Sequence, residues 1–342
     1  MTQKTAPGAS GSPARSRGEF AYLASLRRRL GGRARPGELH LGDDTAVLLP
    51  PKGRLLLATD VVVEGVHFDL SFCRAADVGW KAMAVNVSDV AAMGGIATHA
   101  VATVSGPPGT DLDGLFEGLE AAGSAYGVAL VGGDLSGGDR LVVSVAIVGE
   151  TGALDAVTRA GASAGDELWC TGPLGGSAAG LAYLSMTGRP PTADVGVSAT
   201  GEPPAADLGV GDEVRQACIE AYLRPRARPA EGRLAAELGA SAMIDVSDGL
   251  SSDLVHLAEE SGVGVLVETV PTAPGATELQ ALGGGEDYEL VFAIRPGTKV
   301  AEAFEAARLR VPIRIGKALD DPSLRLLGDR PLPEAGFVHE IG

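Results

Sequence analysis

The sequence predicts an α+β first half with a mixed or antiparallel sheet, followed by an α/β-like second half. Three observations carry that expectation. The chain has 342 residues, about two domains at roughly 150 residues each. Its first half mixes helical periodicity with β-rich runs that follow one another directly, Val128–Val131 and Leu141–Val148. From Thr158 onward, strand-like and helix-like segments alternate. The expected division is a disordered tail at 1–17, an N-terminal domain at 18–156 and a C-terminal domain at 157–342.

The first predicted helix runs from Gly18 to Leu30, with Phe20, Leu23, Leu26 and Leu30 on one face and Gly31-Gly32 closing it. Strand-like runs follow at Ala46–Leu49 and Leu55–Val63. A helix at Ala75–Met93 is stopped by Gly94-Gly95. A strand at Ala100–Val104 and a helix at Leu112–Tyr126 precede the two β-rich runs. The second half opens with a strand at Glu167–Thr171 and a helix at Ser177–Met186. Further strands are expected near 242–246, 263–268 and 288–294, with helices between. Residues 187–211 are rich in Pro, Gly and Ala without periodicity, and read as a flexible insertion.

Composition narrows the function. With 45% hydrophobic and 21% charged residues, the chain is not mainly disordered. Aromatics are only 4%, so the core must be built from Ala, Val and Leu. Lys and Arg number 28 against 44 Asp and Glu, a formal charge of −16. That balance argues against nucleic acid as a partner, because such binding neutralises phosphates with basic side chains. An anionic ligand must be reached through metal cations or a few local arginines. Cys73, Cys170 and Cys218 are an odd count without a C-x-x-C pair, and read as reduced thiols. Residues 1–18 lack the apolar stretch of a signal peptide. The longest uncharged stretch, Val90–Thr110, is broken by Gly94-Gly95, His99 and Pro107-Pro108. Neither a membrane span nor export is expected, and the expected location is the cytoplasm.

Acidic residues recur beside glycines and at the ends of apolar strands. They are Asp43-Asp44, Asp60, Asp89, Asp134, the run Asp245-Val246-Ser247-Asp248-Gly249, and Glu286-Asp287. Any one of them reads equally as a turn or a helix cap, Asp248 ahead of the 249–260 helical run above all. Asp60 and Asp134 are harder to dismiss. Each follows a run expected to be buried, Leu55–Ala58 and Leu130–Val131, and a carboxylate there needs pairing, hydrogen bonds or a metal. Asp89 lies three residues after Asn86 in a largely apolar helix, so the two share a face. Several such carboxylates fit Mg²⁺ held jointly by protein and phosphate oxygens.

The common nucleotide signatures are missing. Gly172-Pro173-Leu174-Gly175-Gly176-Ser177 lacks the P-loop lysine, although a helix N-terminus there could offer backbone N–H groups to an anion. No G-x-G-x-x-G follows a strand, and no kinase H-R-D or D-F-G element occurs. Of the five histidines, His67 sits in the most ordered context, and alone it reads as a structural or surface residue. Arg159 lies at the domain junction, where a cleft forms, and alone it reads as an exposed arginine.

Eight runs in order resemble the thiamine-monophosphate kinase family of the aminoimidazole-ribotide-synthetase-like superfamily. The first four are Gly18-Glu19-Phe20, Gly42-Asp43-Asp44-Thr45-Ala46-Val47, Thr59-Asp60 with Glu64-Gly65-Val66-His67-Phe68, and the stretch from Ala84 to Gly94. The others are Gly132-Gly133-Asp134, Thr158-Arg159, Asp245 to Leu250, and Gly284 to Leu290. The resemblance implies an N-terminal sheet that pairs across a homodimer. It also implies ATP-dependent phosphorylation of thiamine monophosphate to thiamine diphosphate with several Mg²⁺ ions. Carried over by motif, Asp44, Thr59, Asp60, Asp89, Asp134, Asp245 and Asp248 are implied magnesium ligands. Tyr126, Gly133, Asp134, Arg159 and Ser247 are implied ATP contacts, and His67 and Glu286 acceptor contacts. Phe337 stands where the family often has a substrate-stacking Trp. No residue is implied as general base or nucleophile. Selenophosphate synthetases, a rival on the same scaffold, need a reactive cysteine early in the chain, and the first here is Cys73. Another Mg/ATP-dependent enzyme of the superfamily, or a non-catalytic Mg-nucleotide-binding protein, would share the scaffold.

Overall fold

The computed structural model describes residues 25–26, 28–30, 34–41, 43–186 and 210–337. The expected tail at 1–17 and all but the end of the predicted 187–211 insertion lie outside the described residues. Of the first predicted helix, residues 25–26 and 28–30 are described, and they are helical.

The chain divides into residues 1–50 and residues 51–342. In the first unit, the expected strand at Ala46–Leu49 is reduced to one antiparallel bridge between Val47 and Leu39. Pro50 has no N–H with which to extend a ladder. Glu38 ties this turn, taking Arg35 Nη2 at 2.6 Å, and that hydrogen bond holds its carboxyl down to about 2 despite desolvation.

The second unit begins with a four-stranded sheet of order β1-β4-β2-β3, comprising β1 (Leu55–Val63), β2 (Ile96–Gly106), β3 (Ala129–Gly137) and β4 (Val142–Glu150). β4 pairs antiparallel with β1 and β2, while β2 and β3 run parallel. Helices α1 (Ala75–Ala92) and α2 (Leu112–Tyr126) pack on it. Asp111 caps α2 by accepting the Gly114 N–H, and Gly127 ends it in the left-handed conformation at φ 75°. Along β4, Val143, Val145 and Ile147 are buried between half-exposed neighbours, so one face of the sheet is covered. The other face leaves Leu55, Leu57, Val61 and Val101 exposed, with Leu57 at 71%. The expected burial of the Leu55–Ala58 run therefore fails at Leu55 and Leu57, because strand alternation turns them away from the helices.

The remaining strands form a seven-stranded sheet of order β11-β10-β7-β9-β5-β8-β6. They are β5 (Glu167–Cys170), β6 (Ala242–Asp245), β7 (Gly264–Val267), β8 (Leu290–Ile294), β9 (Ile313–Leu319), β10 (Arg325–Leu327) and β11 (Arg330–Pro331). The helices between are α3 (Gly176–Met186), α4 (Asp212–Leu223), α5 (Pro229–Glu237), α6 (Leu250–Ser261), α7 (Glu278–Gly283) and α8 (Val300–Ala306). Alternation in sequence is as expected, yet every pairing except β10 with β7 is antiparallel. Apart from β10 and β11, sheet neighbours here are distant in the chain, so element order does not set strand direction. β8 is buried throughout, with Val291 and Ala293 in one core and Leu290, Phe292 and Ile294 in another.

Helix α1 joins the two sheets. It is apolar on most of its circumference, as a helix covered all round must be. It packs on β1, β4, α2, α5 and β6, and its Ala91 and Ala92 enter the core of Leu290 and Phe292. The three cysteines are free and buried. Among the described residues no helix is long and apolar enough to cross a membrane.

Candidate functional site

The C-terminal half of α1 organises a carboxylate cluster. Asn86, fully buried, accepts the Asp60 N–H at 3.0 Å and donates to the Ala82 carbonyl at 2.9 Å, which fixes the Asp60 position on β1. Asp60 and Asp89 share a hydrogen bond between their carboxyl groups. Ser88 donates to Asp245 at 2.6 Å, and both are buried where β6 ends against α1. Asp248, in the turn after β6, adds its charge at Asp60.

Burial and mutual repulsion raise Asp60, Asp89 and Asp245 together. Desolvation, then the charges of Asp245 and Asp60, push the Asp89 carboxyl up to about 8. Asp60 and Asp245 are raised as well, mainly by burial. Asp60 and Asp89, joined by that hydrogen bond, titrate as a pair and together keep a proton that separate carboxylates would have lost. Among the described residues, Arg159 is the cation that offsets Asp89 and Asp245. A cleft of about 430 Å³ opens beside them, lined by Asp89, Arg159 and Asp245 on its polar side and by Val90, Met93 and Ile244 on its apolar side.

Two loops interlock next to this cluster. Ser247 O accepts the Glu286 N–H at 2.7 Å, and Val246 O accepts the Tyr288 N–H at 2.9 Å. Glu286 and Tyr288 are left-handed at φ 55° and 51°, a strain that side chains tolerate only when their surroundings enforce it. Gly285 cannot be replaced, since a Cβ there would sit 2.5 Å from Ser247 O. Asp248 is not the cap it could have been. Gly249 is the N-cap residue at φ 117°, and Asp253 takes the N–H groups of Asp248 and Gly249 at 3.2 and 3.1 Å. Phe337 joins the same loop, its N–H donating to Asp248 O at 3.0 Å.

The Gly172–Ser177 turn does start a helix, but Asp287 fills that helix terminus, accepting from Gly175 N at 2.6 Å and Ser177 N at 3.2 Å. Complete burial outweighs those donors and pushes the Asp287 carboxyl up to about 7. The acceptor at this N-terminus is the protein's own side chain.

His67 and Glu286 come together through Lys81. The Lys81 ammonium donates to His67 O at 3.0 Å and to Glu286 Oε2 at 2.9 Å. The His67 ring accepts the Val63 N–H on Nδ1 at 3.1 Å, so its neutral form carries the proton on Nε2.

The other sequence candidates lie elsewhere. Thr59 and Asp134 are on the uncovered face of the first sheet, Asp134 in the cross-strand row of Val61, Ser144 and Thr103. The Thr59 hydroxyl donates to Val145 O at 3.0 Å. Gly133 shares the row of Asp60, but three strand spacings away, about 14 Å. The Tyr126 hydroxyl accepts the Ala227 N–H at 3.1 Å and its ring lies 6.0 Å from that of Trp80, in the seam between α2 and the 224–228 segment. Asp44 belongs to the 1–50 unit, where its N–H donates to Asp43. Lys81 and Asp253 were not singled out from sequence, and Asp287 was noted only as one of the acidic residues beside glycines, with no place at a helix terminus. For Lys81 a signal existed: it is the lone basic residue in an otherwise apolar and acidic helix.

The chain matches the family model for the AIR synthase related protein N-terminal domain over residues 42–151 and that for the C-terminal domain over residues 163–329. It is 35% identical over 310 residues to the thiamine-monophosphate kinase of Mycobacterium tuberculosis H37Rv, covering 85% of each chain. The fold is similar to the crystal structure of thiamine-monophosphate kinase from Stenotrophomonas maltophilia K279a, with TM-score 0.76, 31% identity, and 92% and 98% of the two chains covered. It is also similar to AaThiL complexed with AMPPCP and TMP, with TM-score 0.68, 30% identity, and 97% and 100% covered.

Proposed function

This chain belongs to the thiamine-monophosphate kinase family of AIR synthase related proteins, and we propose that the cluster of Asp60, Asp89, Asp245 and Asp248 is where it transfers phosphate from ATP. The reaction is ATP-dependent phosphorylation of thiamine monophosphate to thiamine diphosphate. The observation that carries the site is electrostatic. Four carboxylates meet where Asp89 and Asp245 line a cleft with Arg159 as the counter-charge to those two, an arrangement that accepts more positive charge than the chain supplies.

The donor set is all oxygen, which suits Mg²⁺. Asp60, Asp89, Asp245 and Asp248 would hold it. Asp44, Thr59 and Asp134 are proposed as further ligands on the resemblance alone. When bound, magnesium supplies charge compensation on the transferring phosphoryl group. Arg159 adds a guanidinium in the cleft beside Asp89, and Ser247, Gly133 and Tyr126 are proposed ATP contacts. His67, Glu286 and Phe337 are proposed to meet the acceptor. No protein base is needed, because a phosphate monoester with a second pKa of about 6 is already an anion at neutral pH. Transfer is then direct and in line, with a single inversion at phosphorus.

The exposed apolar row of Leu55, Leu57, Val61 and Val101 supports a homodimer formed through the first sheet. Leu57→Arg should then sediment as a monomer. A cytoplasmic location fits the reduced cysteines and the absence of a membrane-spanning helix among the described residues. The deciding assay incubates the protein with ATP and thiamine monophosphate and identifies the product by mass. Thiamine diphosphate in step with ADP is expected; ATP consumed only with another acceptor would overturn the reading.

A further inference from the structure

We propose that Lys81 is a positioning residue that builds the acceptor subsite, locking His67 and Glu286 into one unit at a fixed distance from the carboxylate cluster. The inference rests on the proposal that His67 and Glu286 meet the acceptor.

Lys81 is 2% exposed, and a buried ammonium must be paired. Each of its three N–H directions has a partner. One meets His67 O, one meets Glu286 Oε2, and the Tyr222 ring lies 4.0 Å away with its face toward the charge. The Tyr222 hydroxyl donates to the same His67 carbonyl at 3.4 Å. One cation therefore closes the turn at residues 64–68 and anchors a glutamate held in left-handed backbone. Glu286 keeps 24% of its side chain exposed, so the pair is sealed on the Lys81 side and open on the other. The acceptor pairs a phosphate with a cationic heteroaromatic ring, and an oriented carboxylate is what such a ring recognises. Lys81 and Ser88 are seven residues apart on one face of α1, about 10 Å along its axis. The spacing between the acceptor subsite and the cluster is thus set by the rise of a rigid helix, with the Glu286 N–H to Ser247 O bond as a second tie.

The test compares Lys81→Met, Glu286→Gln and the double variant by steady-state kinetics with thiamine monophosphate and ATP varied in turn. Lys81→Met should raise KM for thiamine monophosphate about tenfold or more, with KM for ATP and kcat each within about threefold. The double variant should be no worse than the poorer single one, since the two residues act as a unit. Losses that add in the double variant, or KM rising equally for both substrates, would overturn the role. If Glu286→Gln leaves KM for thiamine monophosphate unchanged, the acceptor assignment itself fails. If Glu286→Gln raises it and Lys81→Met does not, only the role of Lys81 fails. Should Lys81→Met be too unstable to assay, the double variant and Lys81→Arg carry the same comparison. Lys81→Arg keeps the charge but not the three-way geometry, so an unshifted KM for the acceptor would count against the proposal.

Discussion

Two sets of buried and half-buried carboxylates in this molecule have opposite surroundings. At the 224–228 segment two acids, Asp77 and Glu289, have their arginines. Asp77 takes Arg74 Nε at 3.0 Å and Arg224 Nε at 2.6 Å. Glu289 takes Arg228 through two bonds of 2.8 and 2.6 Å, with Arg310 at 3.1 Å and the Thr171 hydroxyl at 2.6 Å. Burial pulls the Asp77 carboxyl upward, but Arg74 and Arg224 outweigh it and hold it below the ordinary range. At Asp60, Asp89, Asp245 and Asp248 the acids face one another, and Asp89 is pushed up to about 8. The residue types are the same. What differs is whether the chain completes the charge, which separates carboxylates that hold the fold from the cluster proposed to take a cation.

Exchanging acid for amide should break that contrast in opposite ways. Asp89→Asn should lower kcat at least about 100-fold, beyond the 10–100-fold typical of outer-shell partners of a metal. Its melting temperature at pH 7 should hold, because the amide is as neutral as the protonated carboxyl it replaces. Glu289→Gln should do the reverse, since removing one partner of a buried pair costs about 3–5 kcal/mol. Its kcat, measured on the folded fraction, should stay within about threefold of the parent. Thermal melts and initial rates on the two variants decide the matter, and similar behaviour in both would dissolve the distinction.

A smaller effect follows from Asp89. Its carboxyl titrates at about 8 in the folded protein against an ordinary 3.8, so between those values the folded chain keeps a proton that the unfolded chain has released. This group therefore stabilises the metal-free protein fully below pH 4, and the contribution is lost as pH rises towards 8. Melting curves in chelator from pH 5 to 9 should show that decline, and Asp89→Asn should flatten it. An unaltered slope in the variant would assign the titration elsewhere.

The smallest expected effect is at His67. Removing its ring while Lys81 still holds the backbone carbonyl should raise KM for the acceptor several-fold with little change in kcat, as lost uniform binding does. A change confined to ATP would move His67 out of the acceptor subsite.

Much of the local structure was legible. Helix α1 was placed at Ala75–Met93 and ends at Ala92, because its apolar continuity and the Gly94-Gly95 stop are both local signals. The link between Asn86 and Asp89 was readable from a spacing of three, and both meet Asp60. What stayed hidden depends on residues far apart in sequence. Lys81 and Glu286 are 205 positions apart, and Ser88 and Asp245 are 157 apart. Leu55 and Leu57 were expected inside, since alternation reveals that a strand has two faces but not which one the helices cover. The Asp287 carboxylate at the start of α3 was hidden for the same reason, 110 residues from Ser177.

Calorimetry on the cluster's proton tests the contrast between completed and open charge most directly. Mg²⁺ with a non-hydrolysable ATP analogue is titrated into the metal-free protein at pH 7, in two buffers of different ionisation enthalpy. With Asp89 protonated below about 8, binding should expel close to one proton, so the observed heat should differ between buffers. The difference should vanish in Asp89→Asn. Equal heats in both buffers for the parent protein would mean that the carboxylates do not receive the metal, and would contradict the account.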